Sequence, residues 1–272
     1  MHSSGTSTIC VMIRAIGNIG EAAMNTTSSL CGTLAFAARI FLNLFNRRTY
    51  NSASRMVFIH QLYFTSVQIL PLFLFGAVIF GFLINGMAFQ VVKNLGLTDY
   101  QGRLLMGLVV MELSPFLTAL LIALRSSSAI NAEIAVMKVN REINTLEIFR
   151  IDLIHYLFIP RILNGMVSMV LLTSLFALVV PSIGLLVSSL VFGTSVDAYV
   201  DTLLQSANVL DIVILLVKCA IFGFFITLIP IRLGLNASKE LTSIPIAVLN
   251  GMVKVFLAIV TIEVLSSILR FI

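Results

Sequence analysis

Charge is what this sequence most lacks. Only 11% of its 272 residues are Asp, Glu, Lys or Arg, where an average soluble domain carries about a quarter, and 59% are hydrophobic. With a mean hydropathy of +1.07 there are too few polar groups to cover a water-facing surface, so a soluble globular fold is excluded and the surroundings are a bilayer. Tryptophan is absent, tyrosine numbers five, and the basic residues form no run, so the net charge of +5 does not point to nucleic acid. The three cysteines, Cys10, Cys31 and Cys219, share no metal-like or redox-like spacing and offer no disulfide framework. His2, His60 and His155 are scattered, and no catalytic metal is expected. No Gly-x-x-x-x-Gly-Lys-Ser/Thr loop occurs, so no Walker-type phosphate cradle lies in this chain. The polar start, Met1 to Cys10, lacks the basic-headed apolar run of a cleavable signal and is expected to be retained.

What is present is long apolar runs. A helix needs about 20 apolar residues to cross the hydrocarbon core, and cutting at charges and turn residues yields five crossings: about 66–92, 104–124, 162–192, 212–231 and 244–269. The uncharged stretch Met56 to Val92 is too long for one upright helix. Its first third, 56–70, is therefore read as interfacial or re-entrant. Lysine and arginine concentrate in residues 1–56 (Arg14, Arg39, Arg47, Arg48, Arg55), in 125–161 (Arg125, Lys138, Arg141, Arg150, Arg161) and in 232–243 (Arg232, Lys239). The alternate connections hold Lys93 and Arg103, or only Asp197, Asp201 and Asp211. Positive segments stay inside, which predicts a cytoplasmic N-terminus and a C-terminus on the opposite side.

Residues 1–55 are expected to form a cytoplasmic N-terminus with an amphipathic helix or helix pair over Ile13 to Phe45, lying in the interface. The loop 125–161 is charged and helix-patterned. Ser126, Ser127 and Ser128 precede one helix over Ala129 to Val139, and Asn144 with Glu147 in capping-box spacing predicts a second from Thr145. Periodicity alone leaves a solvated hairpin and a partner-docking segment both open.

Ionisable residues inside a span are costly and are functional candidates by default. Glu112 lies about 12 Å into the second span and Lys254 about 15 Å into the fifth at 1.5 Å per residue, whereas Glu263 falls near the outer interface. Lys254 and Glu263 are half a turn out of phase and cannot pair along one helix face. Pro115 removes a backbone bond close to Glu112. Ala77 and Gly81 form a small-xxx-small pair suited to close helix packing.

Glu112-Leu-Ser-Pro115, the run Thr118 to Arg125, Ser128 to Ile134, Met137-Lys138, Asp152 and Pro160-Arg161 together resemble the signature of MlaE-type permeases. The same family is called YrbE where it accompanies mammalian-cell-entry (MCE) proteins. The match is close over 104–170, and span order agrees over roughly 35–272. There are departures: Leu124 to Ala129 stands where the family usually has Gly-Arg-Ala-Gly-Ser-Ala, and Asp152-Leu153 where it has Asp-Pro. Gly234 to Gly251 holds few of the family's glycines and threonines, and Glu263 aligns with an acidic residue of the last span.

The resemblance implies an all-α integral membrane permease, 56–272, of an ATP-driven (ABC) lipid transporter in a bacterial inner membrane, with a periplasmic C-terminus. The expected partners are a second copy of the chain, cytoplasmic ATPase subunits carrying ATP and Mg, an MCE-domain oligomer and phospholipid. Docking of the ATPase falls on the loop after the second span, with Arg125, Glu133, Lys138, Arg141 and Glu142 as coupling residues. The other readings are a self-contained secondary transporter or channel, against which stand the absence of an inverted repeat and the scarcity of intramembrane charge, and a membrane scaffold for an MCE assembly.

Overall fold

The computed structural model describes residues 36–43, 52–96, 101–192, 195–238, 240 and 242–271. No strand occurs among them. The chain divides into two units, 1–47 and 48–272. In the first, residues 36–43 form one short helix, α1; the rest of the helix expected over Ile13 to Phe45 lies outside the described residues.

The second unit is helical throughout: α2 (Ser52–Leu62), α3 (Leu70–Asn94), α4 (Gln101–Leu104), α5 (Ser114–Ile122), α6 (Ser128–Val139), α7 (Glu142–Ile148), α8 (Ile159–Phe192), α9 (Val196–Ser206), α10 (Val209–Leu235) and α11 (Ser243–Phe271). Wide π-helical turns at Tyr63–Val67, Leu105–Leu113, Ala123–Ser127 and Ile154–Phe158 join several of these into longer rods. Five rods are long and apolar enough to cross a membrane: Arg55–Asn94, Gly102–Val139, Ile154–Leu190, Val209–Leu235 and Ser243–Arg270. The molecule is an all-α, multi-pass membrane protein.

Helix α8 stands at the centre, with α3 against one side and α10 against another, while α11 packs on α10. On α3 the buried residues Phe73, Ala77, Gly81, Asn85 and Phe89 recur every fourth position, the spacing of one helical face. Ala77 and Gly81 thus pack within the chain: a Cβ on Gly81 would lie 3.3 Å from Ile183 Cβ and 3.4 Å from Val180 Cα. Asn85 Nδ2 donates to the Gly81 and Val180 carbonyls at 2.7 and 2.9 Å. Phe73 and Phe176 meet edge to face with centroids 6.0 Å apart.

The structure alters four expectations. Residues 56–70 are not re-entrant: they continue the first rod, and two of their polar groups are buried against α8, where Asn164 Nδ2 donates to Thr65 Oγ1 at 2.9 Å and Ser66 Oγ to Ser168 Oγ at 2.6 Å. The second rod does not stop at Leu124 but runs on to Val139. Ser126 and Ser127 are buried, and Ser128 Oγ donates back to the Leu124 and Arg125 carbonyls at 2.7 and 3.0 Å, so Ser128 bonds the preceding turn instead of breaking it. The next helix starts at Glu142, ahead of Thr145, because Arg141 takes a left-handed conformation, φ 60°, ψ 17°, and turns the chain there.

The third rod begins at Ile154 rather than Ile162 because Asp152 Oδ1 accepts from the Ile154 N–H at 2.9 Å. Burial opposes charge on Asp152, but hydrogen bonds from His155 and the Ile154 N–H outweigh it and hold its carboxyl below the usual range. At the far end of the bundle, α9 packs on α4 and α8. Its Tyr199 hydroxyl donates to the Pro181 carbonyl at 3.2 Å, and burial pushes that phenol up to about 12.

Candidate functional site

Four charged side chains from three rods meet toward the α9 end. Lys218, on α10, is 5% exposed. Its Nζ donates to Glu112 Oε2 at 2.6 Å and to Glu263 Oε1 at 3.0 Å. Arg270 Nη1 donates to Glu112 Oε1 at 3.1 Å and to the Gly107 carbonyl at 2.8 Å, and Ser267 Oγ donates to Glu112 Oε2 at 3.3 Å. Two cations and two carboxylates balance, which is the condition for holding charge in an apolar setting.

Local sequence prepares this site. The π-helical stretch Leu105–Leu113 precedes Pro115, which has no N–H to offer the carbonyl of Met111 four residues back. Lys218 Nζ lies 3.4 Å from that oxygen. The irregular backbone thus supplies an acceptor that a regular helix keeps for itself, a use typical of π-bulges. One acceptor is left over: Glu263 Oε2 is buried with no hydrogen-bond partner among the described residues, an opening for a further donor.

Glu112 is therefore placed in the cluster, but with partners on other helices. Lys254 is not brought to it: that residue is exposed on α11, on the side away from Glu263, as the half-turn offset requires. Depth along a helix leaves the direction a side chain faces undetermined, so two candidates of comparable depth stand on different surfaces of this chain. Lys218 was not among the residues singled out from the sequence, although an ionisable residue inside the fourth apolar run is itself a signal. Arg270 gave less warning, since a cation in a helix's last turn is ordinary.

A second polar site lies at the opposite end. Arg161, at the start of α8, is 2% exposed and pairs with Glu133 of α6, while its Nε and Nη1 are buried without partners among the described residues. Helix α6 is no free hairpin arm. It packs on α10 and α11, with Asn131 Nδ2 donating to the Ala247 carbonyl at 3.0 Å and Ile134 against Gly234. Of the expected coupling residues, Glu133 is thus engaged inside the chain. Arg141 and Glu142 are exposed at the α6–α7 turn and Lys138 is half-buried just before it. Arg125 lies well back along the rod. No group of three or more His, Cys, Asp or Glu suited to a metal occurs among the described residues.

Five apolar rods, three of them joined by a balanced charge cluster, define a polytopic membrane protein. The chain belongs to the MlaE permease family, whose model, Permease MlaE, matches residues 58–269. It is 30% identical over 158 residues to TRIGALACTOSYLDIACYLGLYCEROL 1, chloroplastic, of Arabidopsis thaliana, covering 56% of this chain and 45% of that protein. To a probable ABC transporter permease protein of Synechocystis sp. it is 32% identical over 158 residues, 56% of this chain and 60% of that one. To the intermembrane phospholipid transport system permease protein MlaE of Haemophilus influenzae it is 30% identical over 118 residues, 43% and 45% of the two chains. The matches span about half the length of these curated relatives.

Proposed function

We propose that the chain is the membrane permease of an ATP-driven transporter that moves phospholipids or related hydrophobic molecules between a bacterial inner membrane and the outer membrane or envelope. The observation that carries this reading is family membership over residues 58–269, with a relative named as an intermembrane phospholipid transport permease. Two copies form the core. The N-terminus and the α6–α7 turn face the cytoplasm and α9 faces outward, because Lys and Arg concentrate at the first two and Asp at the third.

With no Walker-type loop in this chain, ATP and Mg belong to separate ATPase subunits. These dock at the α6–α7 turn, where Lys138, Arg141 and Glu142 supply charge-assisted contacts. An MCE-domain oligomer covers the α9 end. In this reading the cluster of Glu112, Lys218, Glu263 and Arg270 locks the second, fourth and fifth rods together at the outer end. Opening that end separates the ions, and a lipid phosphate supplies the acceptor that the two cations lose.

Purification in mild detergent tests the reading. A stoichiometric ATPase subunit and bound phospholipid, with ATP hydrolysis raised by added phospholipid, are the expected result. Ion-coupled uptake by the lone chain in vesicles would overturn it in favour of a secondary transporter.

A further inference from the structure

A groove of about 460 Å³ opens between α3 and the α5–α6 part of the second rod, lined by Ile69, Leu72, Phe73, Leu121, Leu124, Arg125 and Ser128. Its walls are apolar, and its two polar groups, Arg125 and Ser128, follow the last leucine at one end. Arg125 is exposed, and its guanidinium makes no hydrogen bond or ion pair among the described residues. The Ser128 hydroxyl spends its proton on the preceding turn and can only accept. The groove thus presents a strip suited to hydrocarbon that ends in one unpaired guanidinium, and it is distinct from the charge cluster toward the α9 end.

We propose that this groove binds an anionic phospholipid of the surrounding bilayer, an acyl chain lying along Leu72, Phe73 and Leu121 and the phosphate held by Arg125. A guanidinium offers a forked pair of donors that matches phosphate oxygens, and an exposed cation beside an apolar wall of a membrane helix is where a headgroup and its chain can be met together. The assignment separates Arg125 from the ATPase-coupling residues. It stands 16 positions before Arg141, about 24 Å along a helix, too far to share one small docking surface with the α6–α7 turn. The inference requires only that the chain spans a membrane, not that it transports lipid, so it can fail while the proposed function stands.

The test uses the full-length chain. A photoreactive benzophenone side chain at position 72, illuminated in membranes, is expected to give a phospholipid adduct. That adduct falls about tenfold in Arg125→Gln, the size of one charge-assisted hydrogen bond, and is largely retained in Arg125→Lys. In detergent titrations, phosphatidylglycerol binds the unmodified chain, diacylglycerol with the same acyl chains binds at least several-fold more weakly, and Leu121→Trp, which fills the groove, reduces both. Adducts to residues 1–47 or to a second copy in place of lipid would overturn the proposal, as would equal binding of diacylglycerol or undiminished phosphatidylglycerol binding by Arg125→Gln.

Discussion

Lys218 Nζ lies 2.6 Å from Glu112 Oε2 across a separation of 106 residues. The same ammonium reaches Glu263 on a third rod. A single buried cation therefore serves two carboxylates, with Arg270 supplying the second positive charge. Removing any one member leaves a like-charged or unpaired remainder in an environment that solvates it poorly.

The asymmetry predicts a ranking. Lys218→Met leaves both carboxylates short of a partner and should destabilise the detergent-purified protein by about 3 to 5 kcal/mol, the usual cost of breaking a buried pair from one side. Glu112→Gln keeps an acceptor for Lys218 and Arg270 and should cost less, about 1 to 3 kcal/mol. Combining Lys218→Met with Glu112→Gln and Glu263→Gln should recover most of the stability yet not lipid-stimulated hydrolysis in the assembled transporter. Thermal unfolding in one detergent measures all three, and a neutral Lys218→Met would remove the cluster from the stability of the bundle.

Close packing of the central rods predicts a second contrast. A Cβ on Gly223 of α10 would stand 2.5 Å from the Gly165 carbonyl oxygen and 2.6 Å from Met166 Cα. Both are backbone atoms that cannot rotate away. Gly223→Ala must push α8 and α10 apart and should cost about 1 to 3 kcal/mol. Gly76→Ala meets nothing within 4 Å and should be neutral or slightly stabilising through helix propensity. Similar melting temperatures for the two variants would contradict the observed approach of α8 and α10.

Much of the fold was legible because membrane helices announce themselves by length and apolarity, which needs no knowledge of partners. Leu124 looked like an end because Arg125 and three serines follow it, yet whether serine caps a helix or bonds back along it depends on what buries it, and here α10 and α11 pack against the continuing turn. The site divides similarly. The depth of Glu112 could be counted along the chain, whereas its pairing with Lys218 and Arg270 joins segments more than a hundred residues apart and depends on the rotation of each helix. Lys254, at comparable depth, faces outward for the same reason. Lys218 lay in plain view inside an apolar run and needed only to be counted.

The proposed orientation can be checked by labelling. With Cys10, Cys31 and Cys219 replaced, a single cysteine at Ser195, just before α9, should react in intact cells with an impermeant maleimide. One at Thr145, exposed on α7, should react only after the membrane is permeabilised. Labelling of position 145 in intact cells would invert the topology.

The start of the third rod carries a pH dependence. Folding lowers the Asp152 pKa, so the charged form is favoured in the native state. Its contribution is present above the unfolded-state value, about 3.9, and is lost as pH falls through the lower native one. With the side chain 59% exposed the effect is small. Asp152→Asn, which keeps an oxygen for the Ile154 N–H, should match the native protein in stability below that range and fall slightly behind it near neutrality. A gap that persisted unchanged into acid would mean that charge plays no part.

The Glu133 and Arg161 pair separates structure from docking in the α6–α7 region. Because Arg161 is 2% exposed, Glu133→Ala should strand a buried guanidinium and destabilise the chain by about 3 to 5 kcal/mol, with Arg161→Met restoring much of the loss in the double variant. Reduced ATPase recovery in Glu133→Ala alone would then report folding. Arg141 offers the cleaner test. Its left-handed backbone, φ 60°, suits glycine better than arginine by about 1 kcal/mol, so Arg141→Gly deletes the exposed guanidinium while leaving the turn intact or firmer. The expected outcome is an unchanged or raised melting temperature together with lower recovery of the ATPase subunit on pull-down, restored partly by Arg141→Lys. Full recovery with Arg141→Gly would take the α6–α7 turn out of the docking surface and leave α6 as a helix whose role is to pack against α10 and α11.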